Sequence, residues 1–468
     1  MPRLDPDRLF PLDPRSRGLA RALYGTVKDL PILSPHGHTE PRWYAENAAF
    51  PDPAQLFVTP DHYVFRMLFS QGIPLERLGV PRADGGAVET DGRAIWRLFA
   101  ENYHLLRATP SAMWIDHALE NVFSVEQRLN ADTADAIYDR LSACLAQEAY
   151  RPRALFERFN IEAISTTDSA IDPLPWHRMI RESGWSGRVI PAYRPDAVVD
   201  PEFPGFADNV AKLGEMTGED TATWEGYLAA HRNRRAHFIS FGATSSDHGH
   251  ATARTENLPQ DQAALLFAKA LAGTCTPGEA DAFRGQMLTE MARMSIDDGL
   301  VLQIHPGSFR NHSAQIFAQF GRDKGFDIPT QTDYVRALKP LLDAHGTDPR
   351  LSVILFTLDE TAFSRELAPL AGVYPALKLG PAWWFFDSPE GMRRYRETVT
   401  ETAGFYNTVG FNDDTRAFCS IPARHDVARR VDCAYLATLT ATGRLDEGEA
   451  YEVAQDLAYR LAKQAYRL

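Results

Sequence analysis

The sequence predicts an α/β chain folded as a (β/α)8 barrel with a helical insertion after its first strand. Short apolar runs of strand length recur along the chain, separated by stretches with helical spacing. Nearly every run ends on its C-terminal side in residues able to do chemistry, as in a barrel that gathers its strand C-termini on one face. A doubly wound open sheet is the alternative, but no Gly-x-Gly-x-x-Gly follows an early strand.

The first run, residues 30–33, leads into Ser34-Pro35-His36-Gly37-His38, and the second, 161–165, into Thr166-Thr167-Asp168. The third, 188–192, reaches Tyr193-Arg194. The fourth is placed at 237–241, leading through Gly242 to Asp247-His248. Residues 299–304 end at His305, and 351–355 end in Phe356-Thr357-Leu358-Asp359-Glu360. Residues 376–379 lead into Gly380-Pro381-Ala382-Trp383-Trp384, and 408–411 into Asn412-Asp413-Asp414-Thr415-Arg416. Residues 39–160 exceed one crossover helix and carry apolar residues at three- and four-residue intervals over 94–106, 110–122 and 133–147. The expected division is a barrel of residues 1–42 and 156–468 with terminal helices, and an insertion subdomain of 43–155 packed over the barrel mouth. The tail from 424 is read as a last barrel helix plus an extension.

With 468 residues, the chain is long enough for a large core. Its formal charge of -13 argues against a nucleic-acid binder, which would show a basic face. Cys144, Cys275, Cys419 and Cys433 form no Cys-x-x-Cys pair, so thiols in a reducing compartment are expected. The polar, acidic start Met1-Pro2-Arg3-Leu4-Asp5-Pro6-Asp7 lacks a basic-then-apolar leader, and no apolar stretch approaches membrane length. A cytoplasmic protein with a small-molecule partner, no nucleic acid and no membrane is the expectation, and a homo-oligomer is compatible with it.

His36 and His38, two apart at a strand end, point the same way, and neutral imidazoles suit zinc, manganese or iron. Gly37 between them is expected to leave room for close approach. A surface or core pair competes evenly on the motif alone. Asp414 ends the eighth run, which a barrel closes against the first, so its carboxylate would sit beside the two histidines as ligand or base. An Asx turn or helix N-cap is the plain alternative, and Asp413 competes for either role. His305 would face the same mouth. Arg194, Arg416, Arg310 and His62 are candidate anion binders, since arginine can clamp a carboxylate with two parallel hydrogen bonds. Tyr63 is a candidate proton relay, and Trp383 and Trp384 a candidate pocket wall, with packing as the alternative for each.

Taken together, Ser34-Pro35-His36-Gly37-His38, Asp61-His62-Tyr63-Val64-Phe65-Arg66-Met67, Gln303-Ile304-His305-Pro306-Gly307, Trp383-Trp384-Phe385 and Asp414-Thr415-Arg416-Ala417-Phe418 resemble the uronate (glucuronate) isomerase family. That family belongs to the amidohydrolase superfamily and has a TIM-type metal-dependent hydrolase barrel with a helical insertion after strand one. The resemblance implies that His36, His38 and Asp414 hold one divalent metal, zinc first with manganese or iron as alternatives, and that His305 lies nearby or ligates. It implies His62 and Arg194 at the substrate carboxylate, Tyr63 and Arg416 in proton transfer and oxyanion stabilisation, and Asp247 at a further active-site position; Arg310, Trp383 and Trp384 are expected to contact substrate. No lysine near Asp247 is available as a bridging carbamate, so a single metal is expected. The implied reaction is aldose–ketose interconversion of D-glucuronate with D-fructuronate, and of D-galacturonate with D-tagaturonate, through a cis-enediol with Asp414 as the carbon base. The rivals are a metal-dependent amide or ester hydrolase on the same barrel and a non-catalytic sugar-acid binding protein.

Overall fold

The protein is described by a computed structural model over residues 4–468, so Met1, Pro2 and Arg3 of the polar start lie outside the described residues. Seven parallel strands pair in chain order: β1 Ile32–Ser34, β2 Ile161–Ser169, β3 Arg188–Arg194, β4 Ser245–His248, β5 Val301–Ile304, β6 Val353–Leu355 and β7 Leu377–Leu379. The eighth segment, 408–411, lies parallel to β7 through a bridge between Leu379 and Thr408. Just beyond it Asp414 N–H donates to the His36 carbonyl at 3.2 Å, and His38 N–H donates to Thr415 at 3.0 Å. These bonds close the eighth segment on the first. The sheet is a (β/α)8 barrel, as the spacing of the runs predicts.

One strand is not where hydropathy places it. Residues 237–240 are the last turn of a helix, Trp224–Ser240, whose inner side buries Trp224, Tyr227, Ala230, His231, Arg234, Arg235 and Phe238. Only Phe238 of the run reaches that buried side, while Ile239 is exposed, so the run is a helix end and not a buried strand. The fourth strand is Ser-Ser-Asp-His, wholly polar and wholly buried. Its inward residues line a polar barrel interior, which an apolar-run search cannot find.

The stretch between β1 and β2 is helical, with Gly92–Glu101, Pro110–His117 and Ala134–Leu145 as its longer members. Tyr44, Phe65, Trp96, Phe99, Phe123 and Leu141 form a core there that runs on into Ile32, Ile161 and Val189 of the barrel. The far end of the barrel is plugged by the chain's last turn. Tyr466 is fully buried and donates to Gln303 Oε1 at 3.2 Å, while Gln303 Nε2 donates to Ser245 Oγ at 3.1 Å. A polar floor therefore lies two residues below His305 and Asp247 on β5 and β4. Among the described residues, no helix is long and apolar enough to cross a membrane.

Candidate active site

Strand ends and the insertion surround one cavity of about 730 Å3. His38, His62, Tyr63, Arg194, His305, Arg310, Trp383, Trp384, Asp414 and Arg416 all line it. His36 and Asp247 are buried just behind this lining. Every candidate site residue named from the sequence except Asp413 thus falls in one place, although the chain supplies them from positions 36 to 416.

The first turn of a short helix, His62–Phe69, carries His62 and Tyr63 into the cavity. Asp61 caps it, accepting the Tyr63 N–H at 2.8 Å. Asp413 and Asp414 separate cleanly. Asp413 faces away from the cavity and meets His425 Nε2 at 3.1 Å, whereas Asp414 adopts a φ of 45° and faces the histidines. Asp414 Oδ1 lies 3.3 Å from His36 Nε2 and 3.2 Å from His38 Nε2. On the other edge of the His36 ring, Nδ1 lies 3.6 Å from Asp247 Oδ1, which is 2.8 Å from His305 Nε2. Two groups with metal-ligand spacing therefore share His36: one with His38 and Asp414, the other with Asp247 and His305. His305 belongs to the second.

The donor chemistry fits a cation. Asp414 Oδ1, both Asp247 oxygens, His36 Nδ1 and both His305 nitrogens are buried without hydrogen-bond partners, a cluster of ligand-type atoms that a cation would satisfy. The set with His38 and Asp414 opens onto the cavity, whereas Asp247 is fully buried. A catalytic metal keeps an open coordination position, which favours the His36–His38–Asp414 set. Asp247 and His305 then form the layer that orients His36 through its other nitrogen. Gly37 is not tight: a Cβ there would meet its neighbours at 3.5–3.7 Å, ordinary contact. The tight glycine is Gly249, against Arg194 and His305.

Electrostatics separate the roles. Burial alone would raise the Asp414 carboxyl, but His36 and His38 beside it win and hold it well below the usual range. Burial lowers His38 to about 4 against the pull of Asp414. His36 is also opposed by burial, yet the two carboxylates flanking it carry its pKa above the ordinary value. His62 falls to about 3 through burial and the nearby Arg416 and Arg66, so it meets an anion as a neutral donor. Burial raises the Tyr63 phenol, which keeps its proton. Arg194 is already engaged, with Nε 2.8 Å from Asp196 and Nη1 3.3 Å from Asp247. Arg310 is paired with Asp327 at 2.8 Å and lies over Trp384. Arg416 has no ion-pair partner among the described residues, which leaves its guanidinium available. Trp383 packs its ring 5.3 Å from His305 and 6.4 Å from His36, walling the inner end.

Some lining residues had no signal in the sequence. Asp323, in the loop after β5, has its carboxyl lowered by Arg416, Arg310 and Arg194 despite burial. Asp196 clamps Arg194, and its position two residues beyond was the one available hint.

A family model described as glucuronate isomerase matches residues 15–466. A uronate isomerase of Rhizobium meliloti is 70% identical over 465 residues, covering 99% of each chain. The crystal structure of a glucuronate isomerase from Caulobacter crescentus superposes with a TM-score of 0.98 at 59% identity, covering 99% of this chain and 97% of that one. A uronate isomerase structure from Thermotoga maritima gives 0.92 at 26% identity, with 99% of each chain covered. A match across nearly the whole chain, on a barrel whose mouth gathers His36, His38 and Asp414, shows that this chain belongs to the glucuronate isomerase family.

Proposed function

We propose that this chain is a uronate isomerase that interconverts D-glucuronate with D-fructuronate, and D-galacturonate with D-tagaturonate, by proton transfer through a cis-enediol. The observation that carries the mechanism is the convergence of Asp414 with Tyr63 and Arg416 around one cavity, although they come from strand eight and the insertion. Isomerisation must move one proton from C2 to C1 and another between O1 and O2. Asp414, held as a carboxylate beside the histidines, takes the C2 proton of the open-chain aldose and returns it to C1. Tyr63 keeps its phenolic proton and relays between the two oxygens. Arg416, without an ion-pair partner, faces the developing oxyanion. Arg194 and the neutral His62 orient the substrate carboxylate, with Asp196 and Asp247 holding Arg194 in place.

His36, His38 and Asp414 would hold one divalent metal, zinc by their donor types, with manganese or iron also suited. Such an ion would polarise the carbonyl and lower the energy of the enediolate oxygen. We assign residues 43–155 to an insertion subdomain whose role is to deliver His62 and Tyr63. We assign the protein to the cytoplasm, where its four free cysteines, three of them buried, stay reduced.

Incubating the purified, zinc-supplemented protein with glucuronate or galacturonate and following the ketose by 13C NMR tests the activity. Absence of ketose above a protein-free blank with both sugars would exclude it.

A further inference from the structure

Arg424 sits near the start of the long helix Ile421–Ala441, fully buried and outside the lining of the cavity. Three separate parts of the chain meet on its guanidinium. Nη1 donates to Asp387 Oδ2 at 2.6 Å, from the loop beyond β7, and to the carbonyl of Asp413 at 2.9 Å, from the end of strand eight. The same group lies 3.6 Å over the Trp114 ring and 5.3 Å from the Tyr63 ring, both from the insertion. Trp114 and Tyr63 in turn meet edge to face, with centroids 5.8 Å apart.

The Asp413 carbonyl is the informative contact. It belongs to the peptide joining Asp413 to Asp414, and the tilt of that peptide sets φ of Asp414. Asp414 holds a φ of 45°, a left-handed conformation that a non-glycine residue keeps only when its surroundings enforce it. The amide side of this peptide is tied to the His36 carbonyl at 3.2 Å, and the oxygen side to Arg424. Both faces of the peptide are therefore pinned, one by strand one and one by Arg424. A buried guanidinium is a costly way to fill space, and its gain here is orientation.

We propose that Arg424 is a positioning residue: it fixes Asp414 by clamping the preceding peptide, and fixes Tyr63 by stacking beneath it through Trp114. The two groups assigned to proton transfer are thereby referenced to one cation. This rests on the isomerase reading for its effect on turnover, but not for its effect on Asp414 as a ligand.

Arg424→Met keeps an unbranched apolar stem and loses the clamp; Arg424→Lys keeps a donor without the flat stacking surface. Zinc affinity by chelator competition and steady-state kinetics on glucuronate are measured for both, per folded molecule. The expectation for Arg424→Met is a zinc affinity about tenfold weaker. Its kcat should fall about tenfold to a hundredfold with KM nearly unchanged. Arg424→Lys should recover part of each. Combining Arg424→Met with Tyr63→Phe should cost clearly less in kcat than the product of the two single losses. Arg396→Met is the control for loss of a buried arginine. Arg396 pairs with Asp432 at 2.6 Å and does not line the cavity, so its loss should lower stability but leave zinc affinity and kcat in place.

The proposal is overturned if folded Arg424→Met keeps both quantities within twofold of the parent, if the two losses in kcat simply multiply, or if Arg396→Met loses as much. If the parent protein makes no ketose, the isomerase reading fails, and zinc affinity alone decides the positioning role.

Discussion

Replacing Gly249 by alanine adds one methyl group at the back of the site. An ideal Cβ there would stand 2.5 Å from Arg194 Nη2, 2.9 Å from His305 Cε1 and 3.0 Å from Asp196 Oδ2. The first two distances fall short of the 3.4 Å lower edge of ordinary contact by about 0.9 Å and about 0.5 Å. Neither neighbour is a loose end. Arg194 is held by Asp196 at 2.8 Å and Asp247 at 3.3 Å, and His305 faces Asp247 at 2.8 Å. The methyl must therefore displace a pinned network that reaches His36 through Asp247. Overpacking of this kind costs about 1–3 kcal/mol in stability. A shift approaching 1 Å at a substrate-orienting group costs about tenfold to a hundredfold in kcat/KM. KM should rise because Arg194 is assigned to the substrate carboxylate. Ketose formation over a range of glucuronate concentrations, paired with urea unfolding, measures both. Kinetics within twofold of the parent, with unfolding free energy within about 0.5 kcal/mol, would refute the claim that this cradle sets the arginine.

Two further outcomes follow from the same geometry. Arg416→Met removes the guanidinium without an ion-pair partner, and kcat should fall roughly a hundredfold to a thousandfold while the fold is retained, as steady-state kinetics and circular dichroism would show. Asp168, on β2 and hydrogen-bonded by Thr166 at 2.7 Å, has its carboxyl raised by burial from 3.8 to about 7. Between those values the folded chain keeps a proton that the unfolded chain releases, so stability falls as pH rises from about 4 to about 7. Asp168→Asn removes that decline, worth up to about 4 kcal/mol at about 1.4 kcal/mol per pH unit. The urea midpoint of the variant relative to that of the parent should rise between pH 5 and pH 8, and a constant difference would contradict this.

The barrel and most of its mouth were legible because polar residues at strand ends carry both position and chemistry. His36, His38 and Asp414 follow from one closure rule, strand eight beside strand one, and the backbone bonds between His36 and Asp414 realise it. Strand four was misplaced because its four residues are polar and buried, while the apolar run before it is the end of a helix that buries only Phe238 of that run. The choice between Asp413 and Asp414 depended on alternation along a segment whose last residue turns left-handed, which spacing does not reveal. His305 was expected among or beside the metal ligands. It faces Asp247 at 2.8 Å, on the Nδ1 edge of His36, because each edge of that ring meets a different carboxylate. Arg424 and Asp323 carried no signal, since one looks like an interior helix residue and the other lies in a loop without periodicity.

Turnover of glucuronate in deuterium oxide tests carbon-bound proton transfer through an enediol. After repeated turnovers, NMR of the ketose should show deuterium at C1, because the proton that Asp414 takes from C2 exchanges with solvent in the enediol state before it is delivered to C1. Ketose that accumulates to equilibrium with only protium at C1 would contradict the enediol route and point to hydride transfer between C2 and C1.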